Sequence, residues 1–344
     1  MKKLIIFAQL VLLMFATGRN PSQNNETEAG FSVGAILLQY TLGERPSVYT
    51  YNNHIYFATN RGVFYFYGHT QRWNHPHTKE EAILVGEGPY IALWQPGHNE
   101  AMIFEPIGYS FTLNLGWPIL NLTINSQGYT SVIMEHNEVY YIFVIDSYGQ
   151  EIFATTISDI NIFPTGVALN RNLLAVSLLD ANHPNISSHV MFFDTSQGAI
   201  GATNLEQSII STIQFAGDVL FVVSPTKLMA IDNGLNILWE KEKHIQDIVF
   251  DSALVAVLTY DGVSFFNHRG YRLWHYNPQA PVTYFGGGLN HVIIGKDRQF
   301  FAIDSAGNTQ WEFVSIPEPL ELHFLNSIQR ILLKTPIEGQ LLEK

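Results

Sequence analysis

The chain contains no cysteine. That absence excludes disulfides, a disulfide-linked partner, thiolate metal sites, thiol nucleophiles and a lipid-modified cysteine behind an export signal. Positive charge is scarce as well. With 18 Lys and Arg against 30 Asp and Glu, the 344 residues carry a net charge of -12. Affinity for a phosphate backbone comes from neutralising phosphates with cations, so no nucleic-acid partner is expected. Charged residues of both signs make up only 14% of the chain, well below the usual quarter. Its polar surface therefore leans on Asn, Gln, Ser, Thr and Tyr.

Long apolar runs are missing except for one. Lys2 and Lys3 precede Leu4 to Ala16, apolar apart from Gln9, and the polar stretch Arg19 to Gly30 follows. Thirteen residues are short for a bilayer span, and Ala16 and Gly18 put small residues where a signal peptidase reads. We read 1–18 as a signal peptide, 19–30 as a disordered spacer and 31–344 as a single domain. The expected location is exported, periplasmic or extracellular, or membrane-anchored through an uncleaved signal.

What the chain does have is a core and a period. Hydrophobic residues are 47% and aromatics 13%, enough for a large interior. Glycines recur at Gly68, Gly108, Gly149, Gly198, Gly234, Gly270 and Gly307, at spacings of 40, 41, 49, 36, 36 and 37. In four units an acidic or amide residue stands seven positions before a large aromatic: Asp146 and Phe153, Asp232 and Trp239, Asn267 and Trp274, Asp304 and Trp311. Self-similarity of this kind fixes the architecture that other residues decorate. Residues 245 to 279 show four short strands per unit, with Asp261-Gly262 and Arg269-Gly270 at turns. The second strand is apolar on successive residues, as a strand covered on both faces requires.

Four-stranded units of this length without intervening helices predict an all-β propeller. Seven blades run from residue 45 to residue 315. The segment 34–42 reads as a fourth strand and the tail from Leu320 to Lys344 as the first three. Joined, they make an eighth blade that removes the unpaired edges an open ring would leave. We expect eight blades, with seven as the fallback.

The repeats Ala230-Ile-Asp232 to Trp239, Asn267 to Trp274 and Ala302-Ile-Asp304 to Trp311 resemble the tryptophan-docking repeat of the pyrroloquinoline-quinone-type propellers. That superfamily includes quinoprotein alcohol dehydrogenases and BamB-type outer-membrane assembly factors. Gly270 and Gly307 stand four residues before their tryptophans, as in the family pattern. The likeness is partial at Trp73 and Phe153. The resemblance implies the fold and, through the non-catalytic branch, an exported scaffold that binds partners at the propeller face. No quinone or calcium ligand of the enzymatic branch maps onto this chain, and we expect no cofactor, no metal and no enzymatic activity.

Candidate chemistry is sparse. The recurring tryptophans read as packing, and Asp146, Asp232 and Asp304 as turn caps whose carboxylates accept backbone N–H groups. His75 and His77 form the one close histidine pair, with only Glu80 and Glu81 nearby as further ligands, short of a convergent set. Sialidase-type boxes fail on spacing. Gly286 to Gly288 reads as lying between strands with no helix to follow, so it offers no phosphate cradle.

The 49-residue unit reads as carrying an inserted loop at Asp180 to His189, and a loop longer than its siblings is a place for binding. Second-to-third-strand turns and blade-to-blade connections share one propeller face. This puts Asp180, Asn182, His183, Asn185 and His189 on the same face as His75, His77, Lys79 and Glu80. We expect that face to dock an envelope protein or protein complex, with the chain monomeric. The alternative is a propeller enzyme or ligand-binding protein using the central funnel for a saccharide or quinone-linked substrate. The predicted innermost strands hold only the carboxylates Glu87, Asp247, Asp251 and Glu321 and no Lys or Arg, which favours the scaffold.

Overall fold

Consecutive apolar residues belong in strands covered on both sides. In the computed structural model Leu254–Thr259 is buried at all six positions, and His54–Thr59, Tyr90–Trp94 and Val219–Val223 are buried at all but the first. The structure describes residues 31–182, 186–205, 208–251, 254–278, 281–315 and 319–344. The expected signal peptide and spacer lie outside the described residues, as do His183 and Asn185.

The described residues form 32 strands in eight four-stranded antiparallel sheets and no helix. Seven sheets follow one another along the chain, at residues 47–75, 83–114, 119–157, 162–205, 212–242, 245–276 and 284–314, here blades 1 to 7. Blade 8 takes its three inner strands from Glu321–Phe324, Arg330–Lys334 and Glu338–Glu343, and its outermost from Ser32–Gln39. The molecule is an eight-bladed propeller closed by both termini.

The core is not one mass but a series of layers between neighbouring blades. One layer joins Tyr56 and Tyr65 of blade 1 to Ile91 and Phe104 of blade 2, and another joins Ile55 and Phe57 of blade 1 to Leu332 and Leu341 of blade 8. Each blade thus buries one face on each neighbour.

The repeated aspartate, glycine and tryptophan build a single device. Asp232 Oδ1 accepts the Asn236 N–H at 2.8 Å, Asp304 Oδ1 accepts from Ala306 and Asn308 at 2.9 and 2.8 Å, and Asn267 Oδ1 accepts from Arg269 and Tyr271 at 3.0 Å each. Asp146 does the same for Tyr148 and Gln150. The tightened turn leaves one extra residue in the fourth strand, a β-bulge between the partners of Ala230 and Ile231 and of Phe265 and Phe266. A bulge re-aims the next side chain, and the tryptophan then reaches the following blade. Trp239 Nε1 donates to the His268 carbonyl at 2.7 Å, and its ring lies so close to Gly270 that a Cβ there would meet it at 2.5 Å. Trp274 covers Gly307 in the same way, and Trp311 donates to the Ile328 carbonyl at 2.7 Å. Phe153 packs on Phe193 of blade 4 at 5.6 Å between centroids.

Two expectations are corrected. The extra length of blade 4 lies mostly in its strands, which run to nine, eight, eight and eight residues against five, five, six and six in blade 5. Asp180 ends the strand Leu173–Asp180 and His189 lies within Ser187–Asp194, paired with Leu178, so the connecting turn is far shorter than a ten-residue loop. Gly286 to Gly288 lies inside the innermost strand Tyr284–Gly288 of blade 7 and not between strands. A Cβ at Gly287 would meet the His291 carbonyl oxygen at 2.5 Å, which is why the strand needs glycine there.

Antiparallel order gives the ring two faces. Blade-to-blade connections and second-to-third-strand turns lie on one, the linker face; the other two turns of each blade lie on the hairpin face. Lys79, in the connection from blade 1 to blade 2, reaches Glu100 beside the second turn of blade 2 at 3.7 Å. On the other side Arg330 reaches Asn53, in the first turn of blade 1, at 2.8 Å.

Candidate functional site on the linker face

The connection from blade 8 to blade 1 and the connection from blade 1 to blade 2 stand either side of a depression of about 1510 Å³. Residues 41, 43–47, 58–61, 78 and 80–83 wall it, with Leu320 and the blade 8 residues Glu321 and Lys334 on the third side. Its fixed parts are held by backbone. Glu44 accepts from the Asn60 N–H at 3.1 Å and the Thr41 N–H at 3.3 Å, and Arg61 donates to the Gln39 carbonyl at 2.7 Å.

Glu321 and Lys334 are cross-strand partners in register. The Lys334 ammonium is buried and bonded to Glu321 Oε1, while His323 Nε2 contacts Glu321 Oε2 at 3.1 Å. Burial pushes the Glu321 carboxyl up, but the hydrogen bonds and charges of His323 and Lys334 outweigh it and hold the group below its ordinary value. The described innermost strands carry no Lys or Arg of their own; this cation arrives from the second strand. Sequence reasoning missed it because only strand register reveals the pairing.

The rim is different. Arg45, Glu80 and Glu81 are exposed and make no ion pair among the described residues. Ile83 and Leu320, at 37% and 47% exposure, put apolar surface between them.

His75 and His77 do not converge. His75 stacks on Tyr109 of blade 2 at 4.8 Å, whereas His77 turns inward, accepts the Lys79 N–H on Nδ1 at 3.1 Å and leaves Nε2 buried. Burial, helped by the Lys79 charge, pulls the His77 imidazole down to about 4. Among the described residues no group of three or more His, Cys, Asp and Glu could hold a metal ion.

The blade 4 residues form a separate knot. Asp180 Oδ1 accepts the Asn182 N–H at 2.8 Å, and Asn161 Nδ2 donates to Asn182 Oδ1 at 2.9 Å. His189 is half-buried in its strand, and burial lowers its pKa against the opposing Asp180 charge. Blades 2 and 3 separate this knot from the Glu80 rim, so the structure places the two groups on one face without bringing them together.

A second cavity of about 420 Å³ opens among the innermost strands of blades 2 to 6, lined by Glu87, Thr123, Gln214 and Phe250 among others. Burial raises the Glu87 carboxyl, with hydrogen bonds from Ser126 opposing it.

Fold and site together define an eight-bladed propeller with a charged-rim depression on its linker face. The chain belongs to the family of unknown function DUF5711, whose profile matches residues 36–333. No curated protein matches it. Among solved structures it is similar to BamB from Moraxella catarrhalis, at 13% identity and a TM-score of 0.57, covering 89% of this chain and 100% of that one. It is also similar to apo AztD from Citrobacter koseri, at 11% identity and a TM-score of 0.55, covering 86% and 94%. At these identities the likeness is one of fold.

Proposed function

We propose that this chain is an exported, non-catalytic propeller of the quinoprotein-like, BamB-type branch, a scaffold of the cell envelope that docks a protein partner on its linker face. The observation that carries the reading is the depression between blades 8, 1 and 2. Its rim offers charges of both signs that make no ion pair among the described residues, around exposed Ile83 and Leu320, the combination of polar edge and apolar centre that protein interfaces use. In its wall the buried Lys334 and the half-buried Glu321 neutralise one another, with His323 bonded to the same carboxylate, which supports binding over catalysis. The docking of Trp239 on Gly270 and of Trp274 on Gly307 supports the branch, since the same residues carry the family pattern.

The test is in-cell photo-crosslinking from Glu80, Leu320 and Asn182, read by mass spectrometry of envelope fractions. A reproducible envelope-protein adduct from Glu80 or Leu320 is expected, with Glu80→Lys combined with Glu81→Lys reducing it. No adduct from any linker-face position would overturn the reading. The channel cavity, with the Glu87 carboxyl pushed above its ordinary value by burial, favours a second reading in which a saccharide or quinone-linked molecule binds the funnel. Saturable ligand binding abolished by Glu87→Ala, with no protein adduct, would establish it.

A further inference from the structure

Blade 1 breaks the repeat at its hairpin end. In blades 4 to 7 the last residue of the third strand, paired with the first residue of the second, is a turn cap: Asp194, Asp232, Asn267 and Asp304. In blade 1 that position holds Tyr67, paired with His54. Its turn closes without a side-chain cap, because Gly68, at a φ of +60°, donates its N–H to the Asn53 carbonyl at 2.8 Å. Arg330 of blade 8 holds the same turn by donating to Asn53 Oδ1 at 2.8 Å. Position 67 is thus released from the duty its counterparts perform, and it carries a tyrosine left 44% exposed.

Tyr67 is one of a row. Tyr51, His54 and Tyr67 are direct partners across the first three strands, so their rings share one face of the sheet. His54 meets Tyr51 at 6.1 Å and Tyr67 at 5.3 Å between ring centroids. Tyr65 stacks on His54 at 5.7 Å and its hydroxyl contacts Nδ1 at 2.8 Å. The next row on this face, Tyr49, Tyr56 and Tyr65, packs on blade 2, whereas Tyr51 at the end stays 38% exposed. Among the described residues no other blade sets rings on three consecutive strands in register at a strand end.

We propose that this row is a binding platform for a neutral oligosaccharide, laid across the hairpin end of blade 1. A sugar ring is apolar on its C–H faces and polar at its edge, so it lies flat on aromatic rings while its hydroxyls reach donors and acceptors alongside. Exposed Asn52, His69 and Arg72 supply those groups on the turns and the fourth strand. Burial lowers the His54 pKa, which keeps the middle ring uncharged at neutral pH. A cationic ligand is repelled by the Arg72 guanidinium, which already lies 5.7 Å from the Tyr67 ring centroid, and an anionic one meets a chain of net charge -12. Proline-rich segments dock in aromatic-lined grooves, but His54 fills the space between the two tyrosines. The contacts from Tyr65 and Arg330 hold the platform before a ligand arrives, which lowers the ordering cost of binding.

The test screens the full chain on an array of neutral glucose, mannose and N-acetylglucosamine oligosaccharides, then titrates the retained sugar in solution by calorimetry. Tyr51→Ala and Tyr67→Ala are each expected to weaken binding about tenfold, and Tyr67→Phe, which keeps the ring, to retain it. Tyr67→Asp restores the residue type of the other blades and should fold, as thermal unfolding reads, while abolishing binding. Saturation-transfer NMR should mark the C–H protons of the sugar. No oligosaccharide retained, or binding that survives Tyr51→Ala combined with Tyr67→Asp, would overturn the proposal. Loss in Glu87→Ala with full binding in Tyr67→Asp would also overturn it, assigning the sugar to the channel cavity, as would capture of a proline-rich peptide in place of any sugar. None of these results depends on whether the linker face captures a protein.

Discussion

Gly270 shows how one residue can hold two blades in register. Its φ of +78° disfavours any side chain, and the Trp239 ring occupies the space a Cβ would need. Gly270→Ala combines a left-handed backbone cost with overpacking, so a loss of about 2–4 kcal/mol is expected, read as a lower denaturation midpoint with an unchanged slope. His77 supplies a pH effect. Its folded value of about 4 lies below its ordinary 6.5, so the stability it contributes is fully present above that ordinary value. As pH falls from there, the unfolded chain takes up a proton that the folded one refuses, and stability declines towards the folded value. His54 and His189 are lowered by burial and act in the same direction. The urea midpoint should fall between about pH 7 and pH 5, and His77→Asn, which keeps an acceptor for the Lys79 N–H, should flatten part of that fall. An identical slope in wild type and variant would remove His77 from the account.

At the scale of elements, the ring is closed by a strand held at its ends. Most of Ser32–Gln39 is exposed or half-exposed, but Phe31 is fully buried edge-on to Trp311 at 5.4 Å, and Tyr40 donates to the Thr335 carbonyl at 2.6 Å. Phe31→Ala should cost about 3–5 kcal/mol as a core truncation, and Tyr40→Phe about 1–3 kcal/mol by leaving a buried carbonyl unmet; thermal unfolding measures both. Substitutions of exposed Ile36 should cost far less, and parity with Phe31→Ala would refute the end-anchored view. Blade boundaries and this closing strand were legible in the sequence because turn residues and apolar second strands repeat with a fixed phase. Blade 4 misled because Asn182 to Ser188 has turn-like composition while the extra residues of its strands are ordinary strand formers. Part of the candidate site was legible: Glu80 sits on a connection, whose place on the linker face follows from topology alone. Lys334 was not, since nothing in a sequence states which residue of the next strand stands opposite Glu321.

For the whole molecule, closure decides how unfolding is shared. In a linear repeat array the end units have one neighbour and fray, whereas in a ring every unit has two. Here each blade buries apolar layers on both sides, including the layer joining Ile55 and Phe57 of blade 1 to Leu332 and Leu341 of blade 8. Ala35, Leu37 and Leu38 of Ser32–Gln39 pack against that layer, and the strand covers the outer edge of blade 8 and ties it to Trp311 of blade 7 through Phe31. Weakening the strand should therefore release blade 8 first and, with it, one face of blades 7 and 1. Hydrogen exchange read by mass spectrometry is expected to give wild type one cooperative opening that protects the second strands of all blades together. In Phe31→Ala the strands Arg330–Lys334 and His54–Thr59 should exchange ahead of Leu173–Asp180, on the opposite side of the ring. If all three lost protection in step, the ring would be stabilised by its layers alone, and the terminal strand would be a cover for blade 8 and not the latch of the propeller.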